Sequence, residues 1–412
     1  MRVLPSYFFK GSPVQTGTII LHCLALTVSW TQEREFTMAQ SPKSTSARKI
    51  RYAVVGLGYI AQVAVLPAFA HAKKNSELAA FVSDDPKKLQ QLGKKYGIKA
   101  CYSYDQYEEC LWQEKIDAVY IALPNHLHCE YTVRAAKAGV HVLCEKPMAL
   151  SVSECETMIR TADHHGIKLM VAYRLHYEEA NLRAIQMVQS GKIGEPRYFQ
   201  SAFSLPVKDK NNIRLRDETG GGTLWDIGIY CLNAVRNLFQ AEPVEVFAST
   251  TGQGSGRFQE VEEMSAVILR FPDDRLASFI CSFGAADVSE FRIVGTKGQL
   301  RLTSAYEYVE PITHHLTING KERKQTFSKR DQFAPQLLKF SDCILNNTVP
   351  KPAGDEGLHD VRIIETLYRS AEQHQPLSLK KIERKRRPTI NQHLRRPPVK
   401  RPPLVHAQSP SG

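Results

Sequence analysis

The sequence has no uninterrupted stretch of the ~18 apolar residues that a membrane-spanning helix needs, so a multi-spanning protein is excluded. It has no Cys-x-x-Cys pair. Its cysteines number nine, an odd count, and are scattered from Cys23 to Cys343. No histidines cluster at metal-ligand spacing. A disulfide framework and a zinc site are therefore unsupported, and reduced thiols in a cytoplasmic protein are favoured over a periplasmic or secreted setting. Basicity is missing where a nucleic-acid groove would need it. The net charge is +12, but residues 1–50 hold six Lys/Arg against two Glu, and residues 380–412 hold ten against one, which leaves 51–379 at −1. A basic groove for DNA is therefore not supported. No internal repeat is found.

What is present suits a globular protein of two or three domains: 412 residues, 42% hydrophobic and 23% charged. Residues 1–49 look unlike the rest. The apolar run from Ile19 to Trp30 resembles a weak signal-peptide core, but no small-x-small cleavage site follows, and Met38 opens a second N-terminus. The segment is read as a disordered extension. Residues 380–412 are rich in Pro and Arg, with few core-forming residues, and are expected to be a disordered basic tail.

Over 50–173, short apolar runs alternate with helical stretches. The pattern predicts strands at 50–55, 78–83, 117–123, 140–144 and 168–173, with helices such as 86–96 and 128–138 between them. This is the βαβ rhythm of a parallel sheet covered on both faces, a doubly wound α/β domain. Over 174–379 a different rhythm appears. Strands at 197–204, 244–250, 264–271, 276–283, 290–295 and 299–303 follow one another as an antiparallel sheet. A helix at 223–238 precedes most of them, and helices at 333–346 and 357–373 follow.

The run Gly56-Leu57-Gly58-Tyr59-Ile60-Ala61 follows the first strand and opens a helix. Gly56 permits a tight turn, Gly58 lets backbone approach a pyrophosphate, and Ala61 allows close strand–helix packing. Free N–H groups at the helix start face the phosphates. Dinucleotide binding is the reading, because strand, glycines, helix and second strand stand in the right order. The second strand ends at Ser83-Asp84-Asp85-Pro86-Lys87-Lys88. An Asp there accepts from a ribose 2′-hydroxyl and favours NAD. Ser83 and Lys88 suit a 2′-phosphate and favour NADP. Asp85 before Pro86 also reads as a helix N-cap, and these residues alone leave the cofactor open.

Glu145-Lys146-Pro147 ends the 140–144 strand at the carboxyl edge of the sheet, on the side of the glycine turn, where ligands of α/β folds bind. Gly220-Gly221-Gly222 precedes a helix on which Asp226 and Tyr230, four apart, share a face. Oxidising a carbinol by hydride transfer needs a side chain to take the hydroxyl proton. A tyrosine, with an unperturbed pKa near 10, needs a neighbouring cation for this at neutral pH, and Lys146 is the available one. Asp226 is read as orienting the lysine or the hydroxyl.

Together, Gly56–Ala61, the run from Ala122 to His128, Glu145-Lys146-Pro147 and Asp226-x-x-x-Tyr230 resemble the Gfo/Idh/MocA oxidoreductases over roughly residues 50–380. The resemblance implies a Rossmann domain followed by an α+β domain whose large, mostly antiparallel sheet also mediates homo-oligomers. It implies that Lys146, Asp226 and Tyr230 are catalytic, and that Lys146, Tyr177, Asp226 and Tyr230 hold the sugar. It implies cofactor contacts from Gly56, Gly58, Tyr59, Ile60, Ser83, Lys88, Leu123, Pro124, Asn125, His128, Glu145, Lys146 and Arg174. Ser83 and Lys88 match positions that hold a 2′-phosphate in NADP-dependent relatives, so NADP is favoured. Asp84 departs from that pattern, and NAD use remains open. The expected activity is oxidation of an aldose at C1 to its lactone. The alternatives are a xylose, polyol, inositol or trans-dihydrodiol dehydrogenase of the same family, or a non-catalytic dinucleotide-binding regulator. No metal is expected.

Overall fold

The computed structural model describes residues 48–382, 384 and 386–411. The expected extension at 1–49 therefore lies almost entirely outside the described residues. Six strands form the first sheet: β1 (Ile50–Val55), β2 (Ser76–Val82), β3 (Ala100–Tyr102), β4 (Ala118–Ile121), β5 (His141–Cys144) and β6 (Leu169–Val171), in the order β3-β2-β1-β4-β5-β6. Every pairing is parallel. Parallel strands need crossovers that cover both faces, which is why β1 and β4, apart from Arg51, are buried throughout. The sheet is wound outward in both directions from β1 and β4. The crevice at their carboxyl ends is the topological switch point.

The Pro86–Tyr96 helix starts as the sequence predicts. Asp85 is its N-cap, and its carboxylate accepts from the Lys87 and Lys88 N–H groups at 3.0 Å each. Strand β3 has only three residues and was not predicted.

The second sheet holds β7 (Pro196–Ser204), β8 (Glu245–Thr251), β9 (Met264–Phe271), β10 (Arg275–Ser282), β11 (Val288–Gly295), β12 (Gly298–Thr303), β13 (Ile312–Ile318), β14 (Lys321–Phe327) and β15 (Leu377–Ser378). Their order is β14-β13-β12-β11-β7-β10-β9-β8-β15, antiparallel except where β7 lies parallel to β10. Residues of β9 alternate strictly between exposed and buried. One face of this sheet therefore carries core side chains, such as Val267, Leu269 and Phe279, and the other is open. The Ile229–Phe239 helix packs on β7 and the Gly354–Gln373 helix on β8; the latter also reaches β6 and joins the two sheets. Among the described residues, no helix is long and apolar enough to cross a membrane.

The tail departs from expectation. Residues 384 and 386–411 are not loose: they lie along the body with several fixed contacts. Arg387 meets Glu242 at 3.0 Å and donates to the Arg236 carbonyl at 2.6 Å. Arg384 pairs with Glu356 and donates to Asn237 at 2.9 Å. The physical reason is charge complementarity. The arginines that exclude this segment from an apolar core satisfy carboxylates that the core itself buries.

Candidate active site

The glycine turn and the end of β4 press together. Gly56 has φ +90°, and a Cβ there would stand 2.6 Å from the Ala122 carbonyl oxygen, so only glycine fits. At Gly58 a Cβ would meet nothing within 4 Å and would stand in open space at the cavity wall. Backbone bared to a cavity at the start of a helix is the surface a dinucleotide diphosphate requires. Ser83 and Lys88 line the same cavity. Asp84 is turned to the Tyr104 N–H, which it accepts at 2.7 Å.

The cavity, of about 850 Å³, runs from this turn to the second sheet. At its far end Lys146, carried by the loop after β5, meets the Leu224–Gly228 segment. There Nζ donates to the Asp226 carbonyl at 2.7 Å and to its Oδ1 at 3.1 Å. Asp226 takes a second cation on its other oxygen, with Arg214 Nε at 2.6 Å. Burial opposes each of these charges, and the partners overcome it. Asp226 is held well below the usual carboxylate range by Arg214 and Lys146. Lys146 would be lowered by burial, but the Asp226 charge raises it above the ordinary lysine value. Arg214 is likewise raised, against burial, by Asp226.

Lys146 Nζ lies 4.9 Å from the centre of the Tyr230 ring, and the Arg174 guanidinium is also 4.9 Å from it. The phenol is thus flanked by two cations on the cavity wall. Leu224–Gly228 is a π-turn, with the Ile229 N–H reaching back to Leu224, and it feeds the regular helix that carries Tyr230.

The triple glycine folds back against the loop that precedes it. Gly221 N–H donates to the Arg216 carbonyl at 2.8 Å and Gly222 N–H to the Arg214 carbonyl at 3.0 Å. A Cβ at Gly221 would collide with the Arg214 carbonyl oxygen. The close approach is to the loop that presents Arg214, which the sequence reading left out of the site. A basic residue just before a glycine run was the available signal.

Of the expected residues, Gly56, Gly58, Tyr59, Ile60, Ser83, Lys88, Leu123, Pro124, Asn125, His128, Glu145, Lys146, Arg174, Asp226 and Tyr230 all line this cavity. Tyr177 does not. It is 2% exposed, and its hydroxyl donates to the Lys351 carbonyl, on the far side of the Arg174–Tyr177 turn. Its assignment to the sugar site is corrected: a single 3₁₀ turn sends Arg174 to the cavity and Tyr177 into the core. His128 is fully buried, with Nδ1 2.7 Å from the Pro147 carbonyl and Nε2 3.0 Å from that of Leu123. Its side chain ties together the two loops that bound the cavity. Glu145 accepts from the Tyr120 hydroxyl at 2.7 Å and from the Lys146 N–H at 3.2 Å. Among the described residues, no group of three or more His, Cys, Asp or Glu is placed to hold a metal ion. Tyr306, Tyr308 and Glu307, from the loop after β12, line the cavity with no sequence signal to announce them.

Comparison with known proteins agrees with this architecture. Residues 50–173 match the family model described as an oxidoreductase family with an NAD-binding Rossmann fold, and residues 181–301 match the GFO/IDH/MocA C-terminal domain. The chain is similar to D-xylose 1-dehydrogenase (NADP(+)) of Haloarcula marismortui, at 32% identity over 78% of this chain and 91% of the relative. It is 29% identical to D-xylose 1-dehydrogenase (NADP(+)) 2 of Haloferax volcanii, over 78% and 97%. Among solved structures, the aldose-aldose oxidoreductase of Caulobacter crescentus, complexed with glycerol, superposes with a TM-score of 0.77. That match has 38% identity and covers 81% of this chain and all of the other.

Proposed function

This chain belongs to the Gfo/Idh/MocA oxidoreductase family, and from that membership we propose that it is an NADP-preferring sugar dehydrogenase that oxidises the C1 hydroxyl of an aldopyranose to the lactone. The observation that carries the reading is the meeting of Lys146, Asp226 and Tyr230 on one cavity with the glycine turn. The residues fit a dinucleotide, because Gly58 leaves open the space that a Cβ would fill. When bound, the nicotinamide supplies the hydride acceptor.

The chain's own groups supply the rest. Tyr230, as its phenolate, takes the C1 hydroxyl proton on its oxygen and is left as the neutral phenol, with the Lys146 and Arg174 cations beside its ring. Lys146, kept cationic by Asp226, holds the sugar oxygen by donating to it. Asp226 orients the lysine, and Arg214 fixes Asp226. For NADP over NAD, support comes from Ser83 and Lys88 on the cavity wall and from Asp84 being occupied by Tyr104. The two relatives named for NADP point the same way.

A homo-oligomer formed through the second sheet fits the apolar side chains on its open face, Ile268 at 51% and Ile280 at 50% exposure. The eight described cysteines are unpaired, which suits the cytoplasm. The test is absorbance near 340 nm with a panel of aldoses, polyols and diols and either cofactor. Reduction of NADP by an aldopyranose, faster than of NAD, is expected. Tight NADP binding with no reduction by any sugar would overturn the reading in favour of a regulator.

A further inference from the structure

The C-terminal segment does more than lie on the surface: it crosses the mouth of the dinucleotide cavity. On the Rossmann side, Gln62, one turn beyond the glycine motif and only 1% exposed, holds Val405 by a pair of bonds. Its Nε2 donates to the Val405 carbonyl and its Oε1 accepts the Val405 N–H, both at 2.8 Å. Next to this clamp, His406 Nδ1 lies 3.1 Å from Asp85, the cap of the helix that follows β2. On the opposite lip, the Lys208 N–H, beyond β7, donates to the Pro410 carbonyl at 3.2 Å. Between the two lips, Ser409, Pro410 and Ser411 line the cavity, and Arg401 lies over Tyr59, with Nη2 3.5 Å from its hydroxyl. Upstream, the segment is secured by Arg396 on the His71 carbonyl at 3.2 Å and by the arginine–carboxylate contacts of Arg384 and Arg387.

We infer that residues 401–411 form a strap that closes over the bound dinucleotide, with the Arg401 cation beside its diphosphate, so that cofactor enters and leaves only when the strap lifts. The inference rests on the dinucleotide reading of the cavity. The geometry follows from the two anchorages: a segment fixed to both walls of a cleft covers whatever lies between them. Arg401 stands next to Tyr59, the residue after Gly58, where a diphosphate on the helix N-terminus would sit. The bonds that hold the strap are few, so it lifts without unfolding the body.

The test follows NADPH fluorescence by stopped flow on the full chain, on a chain ending at Lys400, and on full-length Arg401→Ala. Strap loss uncovers the mouth, so the shortened chain is expected to bind and to release NADPH faster, release rising by about tenfold or more, the scale of two lost hydrogen bonds. Arg401→Ala is expected to raise the release rate alone and to weaken its dependence on salt. Should the shortened chain fail to fold, full-length Val405→Pro, which removes the N–H given to Gln62, carries the same expectation. Association and release both unchanged within about twofold, with normal binding, would overturn the strap and leave the dinucleotide reading standing. Failure of the full chain to bind NADPH or NADH would overturn both.

Discussion

Tyr230 has a charge environment that its position in the sequence only half reveals. The place of Lys146 at a strand end was legible, because the carboxyl edge of a parallel sheet fixes where such a residue points, whereas Asp226 and Tyr230 reach the same cavity across a π-turn and not along a regular helix. Arg214 was not, since it sits in an irregular loop and reaches Asp226 only after the glycines fold that loop back. Tyr177 was misplaced because resemblance transfers positions and not side-chain directions. Two outcomes follow at this scale. Replacing Tyr230 by Phe removes the proton acceptor and leaves the ring between its cations. kcat is expected to fall about 10²–10⁴-fold while NADP affinity, read by fluorescence titration, holds. Wild-type turnover in that variant would strip Tyr230 of its role. Asp226→Asn leaves Lys146 and Arg214 facing each other in a largely enclosed place without their shared carboxylate. Burial then dominates and lowers Lys146, so the lysine loses its proton at a lower pH. The alkaline limb of the kcat/KM profile is expected to move to lower pH, and an unmoved limb would show that Asp226 does not hold the lysine.

Elements were read best where burial enforces a period. Strand β1 and the Pro86–Tyr96 helix match their expected bounds, because one is buried on both faces and the other is capped by Asp85 and Pro86. Strand β14 escaped: all but the last of its residues, Lys-Glu-Arg-Lys-Gln-Thr-Phe, are exposed at a sheet edge, and charge there guards against edge pairing while erasing the alternating pattern. The π-turn at Leu224–Gly228 was invisible for a related reason, since an i to i+4 count cannot see one extra residue in a turn. The element most exposed to a single change is the glycine-held loop at 213–222. Gly221→Ala would push against the Arg214 carbonyl and shift Arg214 from Asp226. We expect a loss of stability of about 1–3 kcal/mol by overpacking, with sugar turnover reduced and NADP binding retained. Gly56→Ala, which strikes the Ala122 carbonyl from a positive φ, is expected to abolish NADP binding instead. If both variants lost both functions alike, the two glycine turns would not act on separate ends of the cavity.

At the scale of the whole molecule, composition misjudged the tail, because it counts apolar residues and not the carboxylates Glu242 and Glu356 that wait for arginine. It also hid a set of buried and half-buried histidines. Burial pushes His128, His176, His314 and His359 each down to about 4. An unfolded histidine titrates near 6.5, so between those values the unfolded chain binds more protons. Their contribution to stability is complete above about pH 6.5 and is lost as pH falls toward 4. Asp360, pushed up by burial to about 6, works the opposite way, as do Glu145, Glu178 and Glu307, which burial also raises, while His141 and His393 are lowered by burial and side with the four. Calorimetry is expected to show Tm falling steadily from pH 7 to 5, and a flat Tm would mean that these imidazoles are hydrated. The open face of the second sheet makes the last prediction. Ile280 on β10 lies opposite Ala266 of β9 and Ala202 of β7, Ile268 is its diagonal neighbour, and Leu276 lies beside Tyr198. Tyr198, Ile268, Leu276 and Ile280 are 40% to 51% exposed, and they stand near one another on the open face in the middle of the sheet. A second copy of the chain is the partner this surface suits, since a twofold axis through a sheet face brings the same side chains onto themselves. The paired substitution Ile268→Glu and Ile280→Glu would set four carboxylates against one another across such a dimer while touching nothing in the core. Sedimentation of the unaltered protein is expected to show an oligomer and of the variant a monomer with unchanged Tm. An unaltered protein that sediments as a monomer at micromolar concentration would remove the open sheet from any role in assembly.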